Sequence, residues 1–249
     1  QVKVEGNDYA PPIITLNSDE RIIISFDEIS DDISYMRYTL THCDRNWQPS
    51  GLVDPEFIDG FNQGDIDQYE FSQMTSTHYV HYSIALSNDQ IRFTISGNYL
   101  LKVFHEDNPE EILLQARFMV SENSMAVSGD ITSRTDIDYN NRHQQLSIAV
   151  DTRQTNVRDI YNDISLNISQ NNRCDNAITI NQPLRVAGKV AHYEHHKDLI
   201  FEAGNEYRRM EIVSTSYPGM RVAEIEYAKP FYHMTLETDN PRYADSYTY

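Results

Sequence analysis

The sequence predicts an all-β chain of two consecutive immunoglobulin-like β-sandwich domains, residues 1–122 and 123–249. Three observations carry the prediction. Apolar and polar residues alternate at period two in run after run, which is the signature of strands and not of helices. The runs are short and are joined by turn chemistry such as Asn17-Ser18-Asp19, Asp107-Asn108-Pro109 and Pro218-Gly219. The stretch 92–120 reads as two long adjacent strands. Tyr99, Leu101 and Val103 share one face, and Ile112, Leu114, Ala116, Phe118 and Val120 alternate against Leu113, Gln115, Arg117 and Met119. A Gly97-x-Tyr99 opening before such a hairpin matches the last two strands of an immunoglobulin-like sandwich, whose tyrosine packs at a corner. One domain therefore closes near Val120.

Taken in order, Pro11-Pro12 starts an extended segment, and Ile13, Ile14 and Leu16 form a short strand ahead of the first turn. Residues 21–26 are apolar enough for a buried strand, and 35–42 alternate with Met36, Tyr38 and Leu40 on one side. The only tryptophan, Trp47, follows in Cys43-Asp-Arg-Asn-Trp47; it reads as a packing residue at a strand end or, alternatively, as a platform for a ligand. Residues 54–71 crowd Asp54, Glu56, Asp59, Asp65, Asp67 and Glu70 among Phe57, Ile58, Phe61, Ile66, Tyr69 and Phe71, with Gly60 and Gly64 breaking any long helix. This reads as a solvated loop whose aromatics anchor it on the sandwich. Val80, Tyr82, Ile84 and Leu86 share a face of the next strand, 78–86. His78 and His81 would project to opposite sides of it and make no metal pair.

From 121 to 141 the chain turns polar, and the domain boundary is placed at 122–125. The second half then resumes the pattern: Leu146, Ile148 and Val150; Ile164, Leu166 and Ile168; a turn at 170–173; and one strand through Leu184, Val186, Gly188 and Val190. Pro218-Gly219 joins a strand at 210–212 to one at 222–225, and Tyr232, Met234 and Leu236 complete the series. The halves share architecture without a sequence repeat.

Composition excludes several functions. A net charge of -18 argues against nucleic acid and against anionic lipid headgroups, both of which attract clustered Lys and Arg. No apolar run approaches the roughly 18–20 residues a membrane helix needs, so no direct membrane insertion is predicted. Seventeen tyrosines suit strands and also surfaces that bind proteins or sugars. Cys43 and Cys174 fall in different halves, so a disulfide between them is not expected and the compartment is not readable from cysteine usage.

Candidate chemistry is sparse. Asp65-Ile-Asp67 has calcium-loop spacing but lacks the rest of that pattern. His192, His195 and His196, with Glu194 between, lack the helical His-Glu-x-x-His order of zinc sites and read as surface histidines. Phe201 to Arg209 reads as a turn with local acid–base pairing. There is no nucleophile elbow, no phosphate-cradling glycine loop and no thiol beside an obvious base. The prediction is accordingly of no catalytic, cofactor-binding or metal residues and of no enzyme. The best candidate contact surface is the acidic-aromatic segment, with Phe57, Phe61 and Tyr69 giving apolar contact and Asp59, Asp65 and Asp67 steering toward basic groups.

Two resemblances sharpen this reading. Tyr38-Thr-Leu-Thr-His-Cys-Asp-Arg-Asn-Trp47, with Ser96-Gly-Asn-Tyr99 further on, resembles sandwich modules found beside many bacterial sensors, which bears on fold only. More specifically, Phe57-Ile-Asp-Gly-Phe-Asn62, Tyr69-Glu-Phe71, Tyr79-Val-His-Tyr82, 91–103, Cys174-Asp-Asn-Ala177 and Ala203-Gly-Asn-Glu-Tyr-Arg208 together resemble the Bacteroidota type IX secretion system plug proteins. That resemblance implies an exported protein on the periplasmic side of the outer membrane, its leader removed ahead of Gln1. It also implies a non-enzymatic module that blocks the periplasmic mouth of the outer-membrane translocon β-barrel. Members usually continue into a further C-terminal β domain, so the end at Tyr249, soon after Pro241-Arg-Tyr243, suggests a truncated form. The alternative is a glycan-binding accessory protein of the envelope, which a flat row of exposed aromatics around Trp47 would favour.

Overall fold

The computed structural model describes residues 1–88, 90–139, 142–203 and 208–240. The chain is all-β, with strands throughout and only single turns of helix. It falls into two compact units, Gln1–Asn123 and Ser124–Tyr249.

The first unit contains β1 (Val2–Val4), β2 (Ile13–Thr15), β3 (Ile22–Glu28), β4 (Met36–Cys43), the helical turn α1 (Asp54–Phe57), β5 (Ile58–Gly60), β6 (Gly64–Asp65), β7 (Gln68–Phe71), β8 (Val80–Leu86), β9 (Ile91–Phe93), β10 (Gly97–His105) and β11 (Asn108–Ser121). One sheet runs β1-β3-β8-β7 and a second runs β2-β11-β10-β4-β6; β5 and β9 form a separate pair. Every pairing is antiparallel except β2 with β11. The period-two pattern sets which residues face inward. Ile22 and Ile24 of β3 and Val80, Tyr82, Ile84 and Leu86 of β8 meet Met36, Tyr38 and Leu40 of β4 and Tyr99, Leu101 and Val103 of β10 in one apolar cluster. Both sheets thus share a single core, as in a β-sandwich.

Tyr99 is the centre of that core. It is fully buried, stacks on Phe118 with centroids 5.5 Å apart, and meets Phe93 edge-on at 4.7 Å. Its hydroxyl donates to the Ile95 carbonyl at 2.7 Å, a bond from the start of a strand back to the chain four residues upstream. Burial pushes its phenol pKa well above the ordinary range.

The second unit contains β12 (Ala126–Thr132), β13 (His143–Asp151), the helical turn α2 (Ile160–Asp163), β14 (Leu166–Ile168), β15 (Ile178–Ile180), β16 (Arg185–Ala187), β17 (Val190–Tyr193), β18 (Ile200–Glu202), β19 (Val222–Ala228) and β20 (Phe231–Leu236). Its main sheet runs β12-β13-β17-β16, with β18 also on β13; β14–β15 and β19–β20 are separate hairpin-like pairs. Its apolar cluster is small: Val150, Ile180, Ala191, Tyr193 and Leu199.

The structure corrects five expectations. Val2 and Val4 form β1, which the reading from Pro11 onward passed over. Strand β8 begins at Val80, so His78 lies ahead of it. The polar stretch 121–141 holds a seven-residue strand, β12, whose every residue is exposed and so shows no burial period. Residues 184–190 are not one strand: Gly188, with φ of 64°, turns β16 back on β17. Residues 210–212 form no strand; Glu211 N–H donates to the Met220 carbonyl at 3.0 Å across the Pro218-Gly219 turn. In addition, the turn before β11 falls at Glu106-Asp107, leaving Asn108 and Pro109 inside the strand. The motif 203–208 lies mostly, and 241–243 wholly, outside the described residues.

Candidate protein-binding surface

Residues 54–71 are the connection that carries the chain from one sheet of the first unit to the other. Half of the segment is strand rather than loop: β5, β6 and β7 carry nine of its eighteen residues, and exposed turns lie between them. At its start, Val53 N–H donates to the Glu56 carboxylate at 2.8 Å, which fixes the helical turn. Phe57 then enters the core beside His42 and Tyr99, and Thr94 N–H donates to its carbonyl at 3.1 Å. With 2% of its surface exposed, Phe57 is a core residue and cannot contribute to a contact surface as the sequence suggested. In an alternating acidic-aromatic run, sequence alone does not say which rings turn inward.

Gly60 follows in β5, opposite Ile91, with φ of 125°. A Cβ there would sit 1.8 Å from the Gln90 carbonyl oxygen, so only glycine fits. The next residue, Phe61, is 83% exposed. Asn62 brings the chain back: its side chain accepts from Leu40 N–H and donates to the Leu40 carbonyl, both at 2.8 Å, taking the place of a strand partner along β4. Phe61 is therefore a projecting ring pinned on both sides.

Gly64 and Asp65 pair with Tyr38 and Arg37 as β6, the edge of one sheet. Ile66 is buried, and three residues on, Tyr69 sits in β7, the edge of the other sheet, opposite Tyr82. Tyr69 and Phe71 are 42% and 51% exposed and meet edge-on with centroids 5.9 Å apart. Phe71 was not among the predicted contact residues, although the alternation Tyr69-x-Phe71 places both rings on one face.

The acids divide in the same way. Asp65 is spent on Arg37, 2.6 Å away, and Arg37 also reaches Glu106 at 3.0 Å. The one guanidinium is thus shared by two carboxylates, and Asp65 is held in place by it. Asp59 and Asp67 are exposed and pair with no cation among the described residues. Asp65 and Asp67 line a shallow cleft of about 290 Å³ together with Arg21, Tyr38 and Gln68. The open aromatic and acidic groups of the segment include Asp59, Phe61, Asp67, Tyr69, Glu70 and Phe71.

Elsewhere, Trp47 is half-buried in a turn, with the Arg117 guanidinium 4.9 Å from its ring centre. No aromatic ring pairs with it among the described residues, so the row of rings that would favour a sugar platform is not present there. His195 faces Asp136 at 3.0 Å, and the His196 ring accepts from Asp198 N–H at 3.2 Å; the histidine cluster is dispersed into local pairs. Among the described residues, no three His, Cys, Asp or Glu side chains converge as a metal ion would need. The larger cleft of the first unit, about 580 Å³, is lined by 14–21, Ser87, Asn88, Arg92, Phe93 and Val120, with no histidine or cysteine. Cys43, buried, and Cys174, exposed, are free. No described helix is long and apolar enough to cross a membrane.

An all-β chain with a doubly sheeted first unit, a pinned aromatic edge and dispersed titratable side chains defines the class: a β-sandwich-type protein whose distinctive features lie on strand edges. The family is more specific. Residues 1–122 match the type 9 secretion system plug protein 1st domain, and the N-terminal portion of the chain belongs to that family. The chain is also similar, at 37% identity and a TM-score of 0.87, to a hypothetical protein from Parabacteroides merdae ATCC 43184 whose crystal structure is known. That likeness covers 100% of this chain and 63% of the other. No curated protein matches the chain.

Proposed function

We propose that the protein is a non-enzymatic gating module of type IX secretion that closes the periplasmic mouth of the outer-membrane translocon β-barrel when no substrate is engaged. In this reading it resides in the periplasm against the outer membrane, and its domains, 1–122 and 123–249, are immunoglobulin-like sandwiches acting as rigid bodies. The carrying observation is the family match of residues 1–122. The Tyr99-to-Ile95 hydrogen bond supports the immunoglobulin-like assignment, since it resembles the tyrosine corner of those folds.

The contact surface in this proposal is the 54–71 edge without Phe57. Phe61 and Tyr69, joined by Phe71, supply apolar anchors, because exposed rings held on a rigid backbone lose little entropy on binding. Asp67, and Asp59 across the ladder from Arg92, supply negative charge that accelerates encounter with a basic rim. Asp65 contributes mainly by fixing β6 through Arg37. The test is affinity recovery of the translocon barrel from native envelopes with the Phe61→Ala and Tyr69→Ala double variant. The expected result is recovery lowered about tenfold or more with an unchanged circular dichroism spectrum. Full recovery by the variant would remove this edge from the contact; failure of the unaltered protein to recover any barrel would remove the gating role itself.

A further inference from the structure

The second unit carries an exposed edge of an unusual kind. Strand β12 pairs with β13 over seven consecutive residues, from Ala126 opposite Asp151 to Thr132 opposite Gln145, with no bulge. It lies at the end of its sheet, so its other side presents a row of backbone donors and acceptors. Among the described residues nothing bonds to that side. Sheet edges are ordinarily blunted by shortness, lysine, proline or a bulge. The other edges of the sheets of four or more strands are shorter: β1, β2 and β16 have three residues each, β1 and β16 also carrying Lys3 and Arg185, and β6 and β7 have two and four. β12 is longer than any of these and has neither a basic residue nor a proline.

Its side chains are sorted by face. Val127 and Ile131, 65% and 67% exposed, stand opposite Val150 and Leu146, which belong to or pack on the core of the unit. The core face of the sheet therefore runs out uncovered onto β12. The opposite face carries Ser128, Asp130 and Thr132.

We propose that β12 receives an extended segment of another protein, added as a further strand. Alternate apolar residues of the segment cover Val127 and Ile131, and a basic residue faces Asp130. Ladder hydrogen bonds give affinity in this mode and alternate side chains give selectivity. Charge decides against a second copy as the occupant. Antiparallel self-pairing about Gly129 would set both Asp130 carboxylates on one face of the joint, between chains of net charge -18 each. A lysine- or arginine-bearing segment meets the opposite condition. The inference rests on the second unit alone and does not depend on the gating role.

The probe is a short blocked peptide of alternating valine and lysine, titrated into the 249-residue chain and followed by amide NMR and hydrogen exchange. Two controls accompany it: the same peptide N-methylated at alternate backbone nitrogens, and a valine–glutamate peptide. The expected result is saturable binding that protects β12 amides, with both controls about tenfold weaker or more. The Val127→Lys and Ile131→Lys double variant changes exposed positions only. It is expected to keep the remaining amide spectrum and to lose about tenfold in affinity, while Asp130→Asn loses about threefold. Binding by the N-methylated peptide equal to that of its parent would reduce the effect to charge and overturn the proposal. So would protection away from β12, the absence of binding, or sedimentation showing dimers joined through β12.

Discussion

The two units are nearly equal in length and both all-β, yet they are held together differently. The first gathers twenty-two buried residues in one apolar cluster that both sheets share. Among the described residues the second gathers five. What the second has instead is polar fastening around its main sheet. The Asp138 carboxylate accepts from the Thr135 hydroxyl and faces His143, each at 2.7 Å; Asp136 accepts from the nearly buried Gln145 amide at 2.7 Å and faces His195; and Asp151 is clamped by Arg153. Apolar burial is non-directional and scales with area, whereas fastening by hydrogen-bonded charge is local and depends on protonation. The first unit is built around one shared apolar core, and the second exposes much of its strand surface. β12 and the β19–β20 hairpin, with Tyr227, Phe231 and Tyr232 all exposed, are the clearest instances.

The sharpest way to test that contrast is to make a cavity in each unit. Phe118 and Leu199 are both fully buried. Phe118→Ala removes a ring stacked on Tyr99 in a closely packed core and is expected to cost about 3–5 kcal/mol. Leu199→Ala, among fewer buried neighbours that can collapse or hydrate, is expected to cost about 2 kcal/mol. Denaturant unfolding of the full chain, with hydrogen exchange to assign each transition, measures both. Equal losses would break the contrast.

Next in size is Gly60→Ala, which tests whether the 54–71 segment belongs to the rigid frame. The added Cβ would meet the Gln90 carbonyl oxygen at 1.8 Å in a backbone conformation that side chains rarely adopt. A loss of about 2–3 kcal/mol is expected in the first unit, with new exchange at β5 and β9. An unchanged transition would mean the segment is only loosely attached.

Legibility from sequence follows the same divide. Strands β4, β8 and β10 were readable because one face of each is buried, which forces apolar residues into every second position: Met36, Tyr38, Leu40; Val80, Tyr82, Ile84, Leu86; Tyr99, Leu101, Val103. β12 was not readable, because Gly129 interrupts its apolar face between Val127 and Ile131 and leaves too few apolar positions to show a period. The hairpin at Gly188 was missed because Val186 and Val190 keep the same phase across the turn, so it mimics a single strand. At the candidate surface, sequence located the right segment but could not separate Phe57 from Phe61, or Asp65 from Asp67. Those differences are made by Tyr99 and Arg37, far away along the chain.

A smaller but more discriminating comparison uses two tyrosines. Tyr99 and Tyr193 are both almost wholly buried. The Tyr99 hydroxyl has the Ile95 carbonyl as acceptor, whereas the Tyr193 hydroxyl has no hydrogen-bond partner among the described residues. Tyr99→Phe is expected to destabilise the first unit by about 1 kcal/mol, the net worth of a buried hydrogen bond. Tyr193→Phe removes an unsatisfied polar atom and is expected to be neutral or to stabilise the second unit by up to about 1 kcal/mol. Opposite signs in thermal unfolding support the reading; a loss at Tyr193 would reveal a partner for its hydroxyl.

The smallest effect is in acid, and there the two units should part. The hydrogen bond to His143, followed by that from Thr135, holds the Asp138 carboxyl down at about 2, and the Arg153 guanidinium holds Asp151 at about 2. An unfolded aspartate titrates near 4, so each carboxylate binds its proton more weakly in the folded chain. Their contribution is fully present above about pH 4 and is lost as pH falls through the folded values near 2. Both groups belong to the second unit, so between pH 5 and 2 that unit should lose protection from hydrogen exchange more steeply than the first. Asp138→Asn should flatten the slope of the second unit and leave the first unit unaltered. Equal slopes before and after that substitution would mean that the Asp138–His143–Thr135 contact fastens nothing. The thin core of the second unit would then have to suffice by itself.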